Sequence, residues 1–279
     1  MPDKINILTF DIEEWYIYQL YPKGGPDYYL PILENLLDEI LDLLDVSNVK
    51  ATFFCLGIIA REYPDVILKI ASRGHEIGSH SDKHILLNKL GPMDFEEDLV
   101  RSIVALENLL KTKITTYRAP LFSINEDTLW AFEILAKYGI ECDCSIFPAI
   151  RRKGGYNDFK SFYPVKIHTK EGTLIELPLN VKSVIGRKIP FSGGGYFRLL
   201  PYNTIKRMMS SSNYTISYFH LRDFDTKQKI VYSPSYFRSY YGINKMMIKF
   251  KQFLKEFDFM PVKDAVEIFK NELLDEIKI

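Results

Sequence analysis

Apolar and polar positions along this chain switch between two periods. A short unbroken apolar run, Ile5–Phe10, predicts a buried strand. A loop follows at 21–27, marked by Pro22, Gly24, Gly25 and Pro26. Next, Ile32, Leu33, Leu36, Leu37, Ile40, Leu41 and Leu44 recur at helical spacing, predicting a helix over 28–45. The alternation then repeats. Strands are predicted at 51–56, 75–79, 115–117 and 140–146, and helices at 58–72, 94–111 and 125–138, with Gly57, Gly74 and Gly139 as stops. Residues 147–213 are less regular, with a predicted strand at 174–179 and a loop at 191–198. A strong strand at 215–219 and two closing helices, 244–257 and 262–275, complete the pattern. Strands alternating with helices predict a parallel sheet with right-handed crossovers, either a barrel or a doubly wound layer. In both, the residues at the carboxyl ends of the strands line the site.

Composition narrows this picture. The chain has 279 residues, 47% of them hydrophobic, enough for a sizeable core. We expect one domain over 1–279, with a core at about 5–225 and C-terminal helices at about 237–277. Basic and acidic residues balance at 36 each, which gives no electrostatic footprint for nucleic acid or an anionic membrane. The 18 tyrosines suit a carbohydrate cleft, where ring faces pack on sugar C–H groups. No apolar run has the length of a membrane span and no leader pattern opens the chain, so a cytoplasmic location is expected. Cys55, Cys142 and Cys144 lack a disulfide framework or zinc-knuckle spacing. On a strand, Cys142 and Cys144 share one face as small buried hydrophobes.

The candidate chemistry sits at strand ends. Asp11, Glu13 and Glu14 follow the first strand. Strand parity puts Asp11 and Glu13 on one side and Ile12 and Glu14 on the other, with Glu14 a surface acid. His80-Ser81-Asp82-Lys83-His84 places two imidazoles four apart after a strand. On one helical turn they share a face and reach one cation; two surface histidines would give the same spacing. His75 precedes a strand and His220 follows one, whereas His168 reads as structural. Gly193-Gly194-Gly195 lacks the Lys-Ser/Thr of a phosphate loop and the G-x-G-x-x-G spacing. It reads as a flexible loop whose neighbours Phe191, Tyr196 and Phe197 line a sugar cleft. Trp15 and Tyr16 fit a sugar-stacking platform or core packing equally, and Arg151-Arg152-Lys153 reads as a solvated loop.

In order, Asp11-x-Glu13, His80-x-x-x-His84, Arg118-x-Pro120 and Tyr218-Phe219-His220 resemble the motifs of NodB-type polysaccharide deacetylases, carbohydrate esterase family 4. Thr52-Phe53-Phe54, Gly74 through His80, Tyr117 through Ile124, Ser145 through Pro148 and Pro190 through Leu199 look like a bacterial subgroup linked to exopolysaccharide synthesis. The resemblance runs from about residue 5 to the C-terminal helices. It implies an irregular, incomplete (β/α) barrel and a hydrolase that removes N-acetyl groups from N-acetylhexosamine units of a polysaccharide or glycolipid precursor.

By position, the resemblance implies that His80 and His84 are ligands of one divalent metal ion, zinc first, cobalt or nickel otherwise, with Glu13 as the carboxylate ligand. Asp11 matches the catalytic base, Arg118 its orienting partner, His220 the general acid and Asp143 a buttress of that acid. Leu121, after the Arg-x-Pro turn, offers its backbone N–H to an oxyanion. Two positions depart from the family pattern. Ile12 separates acids that are adjacent in the family, and Leu121 replaces a tyrosine. The carboxylate base, preorganised N–H donor and imidazole acid are the parts that amide hydrolysis needs. Hydrolysis of a cyclic ureide or imide, or glycan binding without turnover, are the alternatives.

Overall fold

The computed structural model describes residues 4–13, 32–150, 154–184, 187–227 and 240–279. Strand β1 (Ile5–Ile12) is buried along its whole length, as expected of a central parallel strand covered on both faces. It lies parallel to, and between, β2 (Thr52–Cys55) and β10 (Tyr214–His220). The sheet continues through β3 (Glu76–Ser79), β4 (Thr116–Tyr117), β5 (Cys142–Asp143), β7 (Thr173–Glu176), β6 (Val165–His168) and β11 (Asp275–Lys278). Among the described residues its nine strands run in the order β10-β1-β2-β3-β4-β5-β7-β6-β11, and only β6 and β7 pair antiparallel. The sheet does not close, so this is the incomplete barrel expected. A separate antiparallel ribbon joins β8 (Val181–Val184) and β9 (Arg187–Pro190).

The helices are α1 (Ile32–Val46), α2 (Gly57–Glu62), α3 (Pro64–Ser72), α4 (Pro92–Leu110), α5 (Trp130–Lys137), α6 (Gly194–Leu199), α7 (Tyr202–Ser210), α8 (Met246–Glu256) and α9 (Val262–Lys270). Four expectations are corrected. The helix at 58–72 divides at Tyr63, because Pro64 has no N–H to carry the ladder through. The strand at 140–146 shrinks to two residues, since beyond Asp143 side chains take over the backbone donors. Ser145 N–H donates to Asp143 Oδ2 and Ile146 N–H to Glu176 Oε1. The expected loop at 191–198 contains α6. The last helix stops at Lys270, and the following residues form β11 along the open edge of β6.

The faces of β1 explain the sheet's position. Leu8, Phe10 and Ile12 pack in one core with Leu37, Ile40 and Leu44 of α1 and Phe250 and Phe253 of α8. Ile5 and Ile7 belong to a second core with Val262, Val266 and Phe269 of α9. At the amino-terminal rim, Thr52 Oγ1 accepts the Val262 N–H at 2.7 Å and donates to Glu76 Oε2 at 2.6 Å. Glu76 Oε2 also takes the Lys263 N–H at 2.8 Å, so the first turn of α9 is tied to β2 and β3. All three cysteines are free and buried. Among the described residues, no helix is long and apolar enough to cross a membrane.

Candidate active site and metal centre

Asp11 stands opposite His220 on β10 and Phe54 on β2. Glu13 follows β1 by one residue and faces the same side as Asp11, while Ile12 packs in the core behind them. The carboxylates of Asp11 and Glu13 and the His220 imidazole therefore meet at one strand end. His220 Nε2 is 2.8 Å from Glu13 Oε1 and 3.7 Å from Asp11 Oδ2.

His80 and His84 join them, but not through a helical turn. Ser81 and His84 both adopt left-handed backbone conformations, with φ of 73° and 59°. The turn is held by His84 N–H donating to Ser81 Oγ and by Asp82 N–H donating to Asp98 Oδ2 of α4. This geometry brings the two imidazoles together, with ring centroids 5.2 Å apart. His80 Nδ1–H donates to the Arg118 carbonyl at 2.8 Å, leaving Nε2 as its ligating atom. His84 Nε2 lies 3.0 Å from Glu13 Oε2.

Ligand-competent atoms of Glu13, His80 and His84 all fall within 4.8 Å of one another, and all three residues are buried. Although His84 Nε2 is 3.0 Å away, Glu13 Oε2 accepts no hydrogen bond among the described residues. A buried carboxylate oxygen in that state is costly unless a cation completes it. Two imidazoles and one carboxylate are the donor set of an open divalent-metal site, so the residues fit.

Arg118, fully buried after β4, organises the base. Its Nη1 donates to Asp11 Oδ1 at 2.7 Å and to Thr9 Oγ1 at 2.8 Å, and Nε donates to the Cys144 carbonyl at 3.3 Å. The guanidinium lies 4.2 Å above the Phe54 ring. Burial alone would push the Asp11 carboxyl up; Arg118 and the His80 and His220 imidazoles reverse this and hold it below the usual range. Burial likewise opposes ionisation of Glu13, but His84 and His220 take it down to about 2. Burial and Arg222 press on His220, while Glu13 and Asp223 outweigh them and raise it to about 9. Burial pushes His84 down to about 4.

Beyond Pro120, Leu121 sits at φ 53°, ψ 22° in a tight turn, and Phe122 follows at φ 56°. Asp143 is not the buttress of His220. It receives the Ser145 Oγ–H at 2.6 Å and pairs with Glu176, whose carboxyl burial and Asp143 push well above the usual range. The Ser145 hydroxyl oxygen in turn accepts Ala119 N–H at 2.7 Å. The carboxylate beside His220 is Asp223, which sequence reasoning missed. Its Oδ2 accepts the His220 backbone N–H at 3.0 Å and lies 3.4 Å from Nδ1. The i, i+3 spacing inside Tyr218-Phe219-His220-Leu221-Arg222-Asp223 was the available signal.

Phe197 does not line a cleft: it is wholly buried against Phe219 and Phe253. Tyr196, one residue earlier, is 41% exposed. Trp15, Tyr16, Glu14 and the Arg151–Lys153 segment lie outside the described residues. His168 is structural, as expected. Its Nδ1 bonds the Thr173 hydroxyl and its Nε2 faces Glu276 across β6 and β11.

The chain matches the polysaccharide deacetylase family over residues 1–142 and a domain of unknown function, DUF3473, over 144–267. The site draws on both regions, with Asp11 through Arg118 from the first and His220 and Asp223 from the second. A peptidoglycan-N-acetylglucosamine deacetylase of Bacillus cereus is 36% identical over 110 residues, 39% of this chain and 38% of that protein. A chitooligosaccharide deacetylase of Sinorhizobium fredii is 29% identical over 111 residues, 38% of this chain and 52% of that protein. These matches span about half of the relatives' length or less. A crystal structure from Mycobacterium smegmatis, described among the polysaccharide deacetylases, superposes with a TM-score of 0.71 at 20% identity, covering 100% of this chain and 95% of that one. With a family match over more than half its length, the chain belongs to the polysaccharide deacetylase family.

Proposed function

We propose that the protein hydrolyses the N-acetyl group of N-acetylglucosamine-type units in a polysaccharide or glycolipid precursor, using a divalent cation, zinc by choice of ligands, held by Glu13, His80 and His84. The observation that carries this reading is the meeting of that ligand set with the Asp11–Arg118 pair and His220 at one end of the sheet. The names of the relatives support the substrate class. Retention of the buried base–arginine pair favours turnover over passive glycan binding.

When bound, the cation supplies Lewis-acid polarisation of the acyl oxygen and a water acidic enough to react near neutrality. Asp11, fixed by Arg118, takes the proton of the attacking water. The backbone N–H of Leu121 meets the developing oxyanion. His220 delivers a proton to the nitrogen as the C–N bond breaks, releasing acetate and a free amine. Tyr196 supplies an exposed aromatic face for a sugar ring.

The test is acetate release from acetylated chito-oligosaccharides by metal-loaded protein. We expect a chelator to abolish it, zinc to restore it, and Asp11→Asn to lower kcat by roughly 10²–10⁴-fold. A folded, metal-loaded Asp11→Asn protein with full turnover would exclude Asp11 as the base.

A further inference from the structure

We propose that the glycine-rich segment Gly193–Arg198 is a clamp that positions His220 through a relay from Arg198 to Asp223, an inference that rests on the deacetylase reading above. The segment begins on β10 itself. Gly193 forms a parallel bridge with Tyr218, two residues before His220. A Cβ at Gly193 would overlap the Tyr218 carbonyl oxygen, so only glycine lets the chain approach this closely. From there α6 turns back over the strand end. Phe197 packs edge-on against Phe219 at 5.1 Å, the residue that precedes His220.

Arg198 then reaches the acid. It is 5% exposed, and its Nε lies 3.3 Å from Asp223 Oδ1. Asp223 turns its other oxygen to His220, taking the backbone N–H at 3.0 Å and facing Nδ1 at 3.4 Å. A carboxylate facing Nδ1 sets the ring orientation and leaves Nε2 for the site side. The clamp is anchored behind as well. Lys249 Nζ of α8 donates to the Arg198 and Leu200 carbonyls, both at 2.8 Å, and so fixes the end of α6. Arg198 and Asp223 are positioning residues: the ion pairs run from Arg198 to Asp223 and from Asp223 to His220, through which both act. Gly193 and Gly194 thus serve close packing against Tyr218, and no phosphate cradle is needed to explain them.

The experiment measures kcat and KM of zinc-loaded protein on an acetylated chito-oligosaccharide, together with the ¹⁵N spectrum of histidine-labelled protein, with His220 assigned through His220→Gln. We expect Arg198→Met and Asp223→Ala each to lower kcat roughly 10- to 100-fold with KM nearly unchanged. The double variant should be no worse than Asp223→Ala, and Arg198→Lys should recover part of the loss. Fully additive losses, or losses confined to KM, would overturn the relay. The spectrum decides independently of turnover. Wild type should show His220 Nδ1 as a hydrogen-bonded N–H that is weakened in Arg198→Met. A wild-type Nδ1 without that signature overturns the clamp whatever the activity. The signature with no turnover on any acetylated glycan instead overturns the deacetylase reading and leaves the clamp standing.

Discussion

Arg118 concentrates the energetics of the site in one side chain. It is fully buried, and its guanidinium is shared among Asp11, Thr9 and the Cys144 carbonyl, while its own carbonyl sets the His80 tautomer. Breaking one partner of such a buried pair leaves an uncompensated charge, at a cost of about 3–5 kcal/mol. Arg118→Met should therefore lower the unfolding free energy by about that amount in urea titrations. A loss below about 1 kcal/mol would show that the pair is not held as described. Lysine cannot substitute, because a point ammonium cannot serve a carboxylate, a hydroxyl and a carbonyl together. At this scale the sequence was informative for Asp11, Glu13, His80, Arg118 and His220, which lie at or just past the end of a recognisable strand, and for His84 through its spacing from His80. It did not decide between Asp143 and Asp223, although the i, i+3 spacing from His220 pointed to Asp223. Both are acids near an expected strand end, and which one meets His220 depends on how the chain leaves β5.

Element boundaries carry the next set of consequences. The first turn of α9 has orphan N–H groups that are satisfied by Thr52 and Glu76 from two neighbouring strands rather than by a local cap. Burial raises the Glu76 carboxyl, and the hydrogen bonds it accepts from Thr52 and the Lys263 N–H pull against that rise at the sheet's base. Thr52→Val keeps the shape and removes the hydroxyl. It should cost about 1–2 kcal/mol of stability and leave kcat unchanged, since Thr52 lies at the opposite end of β2 from the site. An equal fall in kcat would contradict the separation of base and site. Glu76 of the sequence motif thus serves the attachment of the last helix, and His80 at the motif's end enters the chemistry. The misplaced boundaries have a common cause. At Ile146 and Val262, backbone donors go to side chains distant in sequence, and periodicity carries no trace of such partners.

Whole-molecule stability should depend on pH through His75, away from the active site. Burial takes this imidazole down to about 4 from its ordinary 6.5, and it accepts the Ala51 N–H. As pH falls below about 6.5 the unfolded chain binds a proton that the folded chain refuses until near 4. The stabilisation from neutral His75 is therefore complete above 6.5 and is lost on acidification through that window. Thermal melts should show Tm falling over this range in wild type, with a shallower fall in His75→Gln. Parallel slopes in the two proteins would remove His75 as the cause.

The sequence by itself determined the alternating architecture, the strand that carries Asp11, and the side of that strand on which Asp11 and Glu13 must lie. Those features follow from local periods, and a period of two leaves no freedom once one face is buried. It could not determine that Ser81 and His84 would take left-handed conformations to aim two imidazoles at Glu13. Nor could it show that Phe197 would be core while Tyr196 stayed exposed, or that a carboxylate three residues beyond His220 would be held by an arginine from a glycine-rich turn. Each of these depends on which distant segments occupy the same volume. Only the folded sheet, with β10 laid beside β1, brings the two halves of the site within hydrogen-bond distance.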